Sequence, residues 1–194
     1  MNTLYSFGVE EHPTGSLLDY YWFLETFNPV QCENIISICK KYEKHEASTF
    51  KGDSKDTRNS TLRWIPLNDE TEFIFKQISD CVLEANRELF KIDIYGFTES
   101  LQFTEYEGAG THYDWHPDIG ADKNKRKLSI VIQLSDENDY EGGDLMINSG
   151  VVQKAPRERG NIIIFPSFLL HKVTPLISGN RYSIVSWVSG PPWR

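Results

Sequence analysis

The chain has few cysteines, and their arrangement argues against both a disulfide-bonded domain and a zinc-stabilised domain. Cys32, Cys39 and Cys81 form no Cys-x-x-Cys pair and lie at apolar spacing in helix-like segments. This pattern indicates buried free thiols, which are typical of a reducing compartment. We therefore expect a cytoplasmic protein, with neither a disulfide framework nor a cysteine-rich zinc site.

Long apolar runs and an excess of basic residues are also missing. The longest runs, such as Ile-Ile-Ile-Phe at 162–165, are too short to cross a bilayer, and the N-terminus shows no signal-peptide pattern. The formal net charge is −8, which argues against general nucleic-acid binding. We expect no membrane association; the oligomeric state is left open.

The order of helical and strand-like patterns predicts one α+β domain over residues 1–194. Asn28-Pro29 is a typical helix start, and apolar periodicity continues from there to about residue 44 and again over 69–90. From about 96 to 190 the chain contains short β-branched and aromatic runs separated by turn residues. We predict N-terminal helical support, to about residue 95, packed on one face of a β-sandwich or small barrel.

Two polar segments are predicted to be loops. The stretch 44–61, rich in Lys, Asp and Ser, is expected to be a mobile loop; the sequence leaves open whether it acts as a lid. The basic run Lys-Asn-Lys-Arg-Lys at 123–127 is expected in a loop that follows the metal strand. Gly142 and Gly143 are expected to form a tight turn with positive φ.

A candidate metal site is the most informative feature of the sequence. His116 and Asp118 stand two residues apart, a spacing that puts both side chains on one face of a strand. With His171 as a distant third ligand they would form the facial triad typical of non-haem Fe(II). His112 and Asp114 have the same spacing, so the residues alone leave two possible pairs.

Linked motifs over about 58–190 resemble the prolyl 4-hydroxylase branch of the 2-oxoglutarate oxygenases. Tyr106 lies ten residues before His116, and a Gly-x-x-Tyr that ends at Tyr113 also precedes it. Arg181, within Arg-Tyr-Ser, follows His171 by ten residues. Further matching segments are Arg-Asn-Ser-Thr-Leu-Arg-Trp-Ile at 58–65, Tyr-Glu-Gly-Gly-Asp-Leu at 140–145 and Phe-Pro-Ser at 165–167. The resemblance favours the frame His116, Asp118 and His171.

The resemblance implies a double-stranded β-helix, also called a jelly-roll or cupin-like fold, and a dioxygenase activity. Such an enzyme couples decarboxylation of 2-oxoglutarate to succinate with hydroxylation of a C–H bond. The resemblance implies that the enzyme uses Fe(II), 2-oxoglutarate and O2. It also makes ascorbate (vitamin C) a candidate cofactor. Related halogenating enzymes generally lack the carboxylate ligand, so Asp118 favours hydroxylation; no acid or base beyond the metal ligands is required.

The resemblance also assigns candidate binding residues. Arg181 would hold the far carboxylate of 2-oxoglutarate through its planar fork of donors, and Tyr106 and Ser183 would add hydrogen bonds. Candidate substrate contacts are Trp187, Tyr113, Arg126 and Trp115, and Trp187 corresponds to a tryptophan that lines the proline pocket of the family.

The predicted substrate is therefore a prolyl residue of a peptide or protein. A free amino acid or other small molecule is the alternative substrate. The alternative to an enzyme is a sensor module that binds metal and 2-oxoglutarate without turnover.

Overall fold

The structure is a computed structural model that describes residues 19–47, 55–120 and 124–192. In these ranges the chain forms the helices α1 (Pro29–Cys39) and α2 (Glu72–Ala85). The strands are β1 (Tyr21–Phe23), β2 (His45–Glu46), β3 (Arg58–Asn59), β4 (Thr61–Ile65), β5 (Gly96–Phe97), β6 (Leu101–Glu107), β7 (His112–His116), β8 (Arg126–Gln133), β9 (Tyr140–Gly142), β10 (Leu145–Asn148), β11 (Val152–Lys154), β12 (Ile162–Pro166), β13 (Leu170–Val173) and β14 (Leu176–Ser189).

Helix α1 begins where the sequence predicts and ends earlier. The Asn28 side chain accepts from the Gln31 backbone N–H, and the Gln31 side chain accepts from that of Asn28, both at 2.9 Å. After Cys39 the chain tightens into a turn instead of continuing to residue 44. Arg63 of β4 donates to the carbonyls of Lys40 and Tyr42, which satisfies acceptors that a longer helix would have used.

Helix α2 starts slightly later than predicted and changes its winding near the end. Its α-helical part stops at Ala85, and a π-helical turn over Asn86–Phe90 completes the predicted span. Lys91 then adopts left-handed backbone geometry with φ 53°. The Asn86 side chain bonds to both the N–H and the C=O of Ile92, so the turn is closed by local hydrogen bonds.

The strands form two antiparallel sheets. The larger has nine strands in the order β1-β12-β8-β14-β6-β4-β2, with β5 and β9 paired to β14, and the smaller has the order β11-β10-β13-β7-β3. The sheets face each other, since one buried apolar cluster joins residues of β8 and β12 to residues of β10: Val131, Ile163, Phe165, Leu145 and Ile147.

Alternation along the larger sheet separates the helical core from the interior of the sandwich. On β14, Ile184 and Val188 face the cluster that includes the buried residues of α1 and α2. On the opposite face of the same strand, Arg181, Ser183 and Trp187 line a cavity. Because side chains alternate across a strand, one strand serves both compartments. The predicted packing of helices against one sheet is confirmed.

The turn between β9 and β10 requires glycine, as predicted. Gly142 and Gly143 have φ of 75° and 62°. A Cβ on Gly142 would lie 2.3 Å from the Pro175 carbonyl oxygen, and one on Gly143 would lie 3.2 Å from Arg181 Cδ. Gly143 therefore makes the turn and leaves room for the stem of Arg181.

Cys32, Cys39 and Cys81 are buried and free, which confirms the prediction of unpaired thiols. The reducing compartment inferred from them stays a prediction. Among the described residues, no helix combines the length and apolarity needed to cross a membrane.

Candidate metal and cosubstrate site

A cavity of about 860 Å³ opens between the two sheets. Its walls include every residue predicted from the sequence to bind metal, cosubstrate or substrate: His116, Asp118, His171, Arg181, Tyr106, Ser183, Trp187, Tyr113, Arg126 and Trp115. These residues come from both sheets, so the pairing of the strands assembles the site.

Two imidazoles and one carboxylate converge in the cavity. His116 and His171 are direct partners in the β7–β13 register. The distance from His171 Nε2 to Asp118 Oδ2 is 3.4 Å, and from His116 Nε2 to Asp118 Oδ1 it is 3.9 Å. The three candidate ligand atoms lie within 4.8 Å of one another, so one cation could be bound by all three. Two histidines and one carboxylate with open positions suit Fe(II).

A turn positions Asp118, and not the strand pleat assumed from the sequence. β7 ends at His116, and the Asp118 backbone N–H donates to the Ser167 carbonyl at 2.8 Å. The hydroxyl of Ser129 then donates to Asp118 Oδ2 at 2.6 Å. The carboxylate is thus fixed by contacts to two other segments of the chain.

Backbone carbonyls orient both histidine rings. His116 Nδ1 lies 2.7 Å from the Asp114 oxygen, and His171 Nδ1 lies 3.0 Å from the Leu169 oxygen. A carbonyl accepts only, so each Nδ1 carries the proton, and each Nε2 lone pair faces the cluster. Metal-binding histidines in proteins are commonly oriented in this way.

The cluster favours the protonation states that bind a cation. Burial, together with the nearby His171, lowers the pKa of His116 to about 3, so its imidazole is neutral. Burial alone would raise the pKa of Asp118, but the two histidines and hydrogen bonds from Ser129 and Trp187 outweigh it and lower that pKa to about 2. At neutral pH the site holds a neutral His116 ligand and an ionised carboxylate.

The alternative pair is not assembled. His112 Nδ1 lies 2.8 Å from the Gly110 oxygen and Nε2 lies 3.0 Å from the Asp56 oxygen, so both ring nitrogens are occupied by carbonyls. Of the two pairs, His116 and Asp118 belong to the described three-residue cluster.

Arg181 provides an anion-binding group deep in the cavity. Its side chain is 1% exposed, and Nη2 donates to Gln133 Oε1 at 2.8 Å. Nε and Nη1 are buried and have no hydrogen-bond partner among the described residues. Such donors are costly to bury unpaired, so the guanidinium fits a carboxylate supplied from outside. Ser183 lines the same wall, and burial raises the pKa of Tyr106, which keeps its phenol protonated as a donor.

Trp187 contacts the metal cluster as well as the cavity. A side-chain hydrogen bond from Trp187 contributes to lowering the pKa of Asp118. The guanidinium carbon of Arg126 lies 3.5 Å from the Trp187 ring centroid. The indole therefore interacts with both the Arg126 cation on its face and the Asp118 carboxylate.

The prediction that 123–127 is an exposed loop was wrong for Arg126 and Lys127. Arg126 is 3% exposed, belongs to β8 and forms an ion pair with Glu99. An irregularity in the β8–β14 register beside Val188 and Ser189 accompanies this inward placement of Arg126. Residue 123 lies outside the described residues, as do residues 48–54 of the predicted loop at 44–61.

Tyr113 and Trp115 lie beside the metal cluster. The Tyr113 ring stacks on His116 with centroids 3.4 Å apart and planes 16° apart. Trp115 is half-buried, and Lys172 Nζ lies 4.9 Å from its ring centroid. Both side chains are thus in position to meet a molecule that enters the cavity.

Sequence reasoning missed Ser129 and Gln133, and a usable signal was present. Both are polar residues at odd positions of β8, on the face opposite the apolar Ile130 and Ile132. It also missed Trp64, which lines the cavity with its ring 6.3 Å from that of Trp187. Arg58 was not among the predicted site residues, whereas the structure places it on β3 in the cavity wall.

Comparisons with known proteins agree with this geometry. Residues 101–189 match the model of the 2OG-Fe(II) oxygenase superfamily. A PKHD-type hydroxylase of Synechococcus sp. (strain CC9605) is 43% identical over 83 residues, which cover 41% of this chain and 37% of that protein, well under half of its length. A PKHD-type hydroxylase of Prochlorococcus marinus (strain MIT 9312) is 33% identical over 170 residues, which cover 80% of this chain and 73% of that protein.

A solved structure shares the fold. A prolyl hydroxylase from Trichoplax adhaerens, in complex with a hypoxia inducible factor oxygen degradation domain peptide fragment, superposes with a TM-score of 0.73 at 17% identity. The alignment covers 88% of this chain and 83% of that one. The predicted double-stranded β-helix is thereby confirmed.

The fold and the cluster define a double-stranded β-helix protein with a two-histidine, one-carboxylate site inside its barrel. The chain belongs to the 2OG-Fe(II) oxygenase superfamily.

Proposed function

We propose that this protein is an Fe(II)- and 2-oxoglutarate-dependent dioxygenase that hydroxylates a prolyl residue of a peptide or protein. His116, Asp118 and His171 would hold the iron, and Arg181 would hold the far carboxylate of 2-oxoglutarate. One observation carries the proposal: a buried guanidinium, with two donors unpaired among the described residues, shares a cavity with the three converging candidate ligands. A metal site alone would not require such a cation.

Bound iron and 2-oxoglutarate supply the oxidation, in which O2 and 2-oxoglutarate give succinate, CO2 and a hydroxylated C–H bond. The chain's own residues bind and orient. Gln133 fixes one edge of Arg181 and leaves the other edge for the cosubstrate. Tyr106 and Ser183 would add hydrogen bonds, while Val131 and Val185 of the same wall keep water from the reacting groups.

The peptide substrate is supported by two observations. Trp187 and Trp64 form an aromatic wall beside the cluster, which suits the flat apolar ring of proline. The Trichoplax adhaerens prolyl hydroxylase of the same fold binds a peptide. A free amino acid remains the alternative small substrate, and ascorbate would act as an accessory reductant.

Succinate formation tests the proposal. Purified protein is incubated with Fe(II), 2-oxoglutarate, O2 and ascorbate, with and without proline-containing peptides, and peptide products are examined for a gain of one oxygen. We expect turnover that is lost in His116→Ala and a KM for 2-oxoglutarate raised about 100-fold in Arg181→Gln, since a charged hydrogen-bonded pair is lost.

Arg87→Gln is the matched control, because the Arg87 side chain is 70% exposed and its ion pair among the described residues is with its neighbour Glu88. Failure of the wild-type protein to bind 2-oxoglutarate would refute the proposal. Binding without succinate formation would identify the sensor module instead. Turnover with free proline, but not with peptides, would identify the small-molecule enzyme.

A further inference from the structure

The cavity contains a second buried guanidinium with a donor nitrogen that has no hydrogen-bond partner among the described residues. Arg58 is 7% exposed and lines the cavity wall. Its Nε donates to Ser60 Oγ at 3.0 Å, but Nη2 is buried without a hydrogen-bond partner among the described residues. None of the ion pairs within the described residues includes Arg58. The surroundings thus leave donor capacity facing a space that a ligand can enter.

Stacking on Tyr113 holds the Arg58 guanidinium close to the candidate metal ligands. Arg58 is the register partner of Tyr113 in the β3–β7 pair, and its guanidinium carbon lies 4.4 Å from the Tyr113 ring centroid. Tyr113 in turn stacks on His116. Arg58 is therefore separated from a candidate metal ligand by one aromatic ring.

Arg58 is distinct from the cosubstrate group. Arg181 projects from β14 of the larger sheet and is fixed by Gln133, whereas Arg58 projects from β3 of the smaller sheet. A single 2-oxoglutarate held by Arg181 and the cluster leaves Arg58 without an anion.

The other charged groups of the cavity do not neutralise Arg58. Arg126 is paired with Glu99, and Asp118 accepts from Ser129. Glu46 and Asp114 line the cavity but are exposed, and neither forms an ion pair with Arg58. Among the described cavity residues, Arg58 is thus the cation left for an anionic group of the substrate.

We propose that Arg58 is the subsite for a carboxylate of the substrate, placed next to the carbon that is oxidised. The planar guanidinium matches a carboxylate, and burial strengthens the interaction. This inference rests on the proposed function. The carboxylate belongs either to an acidic residue beside the target proline in a peptide or to a free amino acid, and both sources offer the same chemistry.

Two matched substrate pairs test the subsite without altering the protein. The peptides acetyl-Gly-Pro-Glu-Gly-amide and acetyl-Gly-Pro-Gln-Gly-amide differ in one carboxylate, as do L-proline and L-prolinamide. We expect the wild-type kcat/KM to favour the carboxylate member of one pair by about 10-fold or more, mainly through KM. The pair that shows the preference identifies the source. Binding to the Mn(II)- and 2-oxoglutarate-loaded protein without O2 should show the same preference by calorimetry.

Variants assign the preference to Arg58. Arg58→Gln should abolish it and leave the KM for 2-oxoglutarate unchanged, Arg58→Lys should retain part of it, and the exposed control Arg87→Gln should retain all of it. Equal binding and turnover of both members in the wild-type protein would overturn the inference, even if Arg58→Gln fails to fold. A raised KM for 2-oxoglutarate in Arg58→Gln would overturn it too, because Arg58 would then serve the cosubstrate.

The two proposals fail in different ways. Absence of succinate from the wild-type protein under every condition contradicts the proposed dioxygenase. Succinate formation without any carboxylate preference contradicts only the subsite.

Discussion

Replacing Ser129 by alanine should weaken metal binding without unfolding the protein. Ser129 lies on the central strand β8, and its hydroxyl donates to Asp118 Oδ2 at 2.6 Å. Ser129 Oγ also lies 3.0 Å from Ser167 Oγ. Ser129→Ala removes a donor from the ionised carboxylate and keeps the strand, because alanine fits wherever serine does.

The expected size follows from the charge of the acceptor. A hydrogen bond to a charged group contributes about 1.5–3 kcal/mol, which corresponds to roughly 10- to 100-fold in affinity. The lost hydrogen-bond energy destabilises the metal-bound state, because the Asp118 side chain then rotates more freely and the pKa of its carboxyl group rises. The interaction of Trp187 with Asp118 remains in the variant, so the lower part of the range is expected.

Titration with Mn(II), in which electron paramagnetic resonance detects the free ion, measures the dissociation constant of the metal. Ser186→Ala is the matched control: Ser186 is buried on the neighbouring strand β14, and its Oγ has no hydrogen-bond partner among the described residues. We expect wild-type affinity in Ser186→Ala and thermal unfolding near the wild-type temperature in both variants. Equal Mn(II) affinity in Ser129→Ala and Ser186→Ala would refute the reasoning.

Three further predictions test packing and electrostatics. Gly160→Ala should lose at least about 4 kcal/mol of unfolding free energy in urea, because a Cβ would lie 1.8 Å from the Phe27 oxygen. Gly108→Ala, with a similar φ of 83° but open space, should lose only about 1–2 kcal/mol, and equal losses would contradict the clash. Burial raises the pKa of Cys39 to about 12, so it should resist Ellman's reagent at pH 8 until the protein unfolds; rapid native labelling would contradict this. Glu99→Gln should loosen Arg126 from the Trp187 ring, which acrylamide quenching of tryptophan fluorescence and a higher peptide KM would detect; unchanged values of both would argue against the contact.

The spacing of motifs predicted which residues meet in the cavity, because a strand has a fixed side-chain period. Arg181, Ser183 and Trp187 share a face of β14 for that reason. The resemblance favoured the pair His116 and Asp118 over His112 and Asp114, a choice that the local spacing alone left open.

What the sequence could not show depends on contacts between distant segments. The early end of α1 reflects Arg63, which reaches the helix from β4. The burial of Arg126 accompanies a register irregularity between β8 and β14, which no local pattern encodes. Arg58 gains its place from pairing with β7, so a reading of residues 44–61 as a loop missed it.

The length of β14 links the assembly of the site to the cooperativity of folding. This strand spans Leu176–Ser189 and pairs with β6, β8, β5 and β9. A shift of one residue would turn Arg181 and Trp187 toward the helices and bring Tyr182 and Ile184 into the cavity. Partners from distant parts of the chain must therefore be in register before the walls of the cavity exist. Recovery of 2-oxoglutarate binding during refolding should then follow the slowest formation of the larger sheet, and no half-folded form of the chain should bind it.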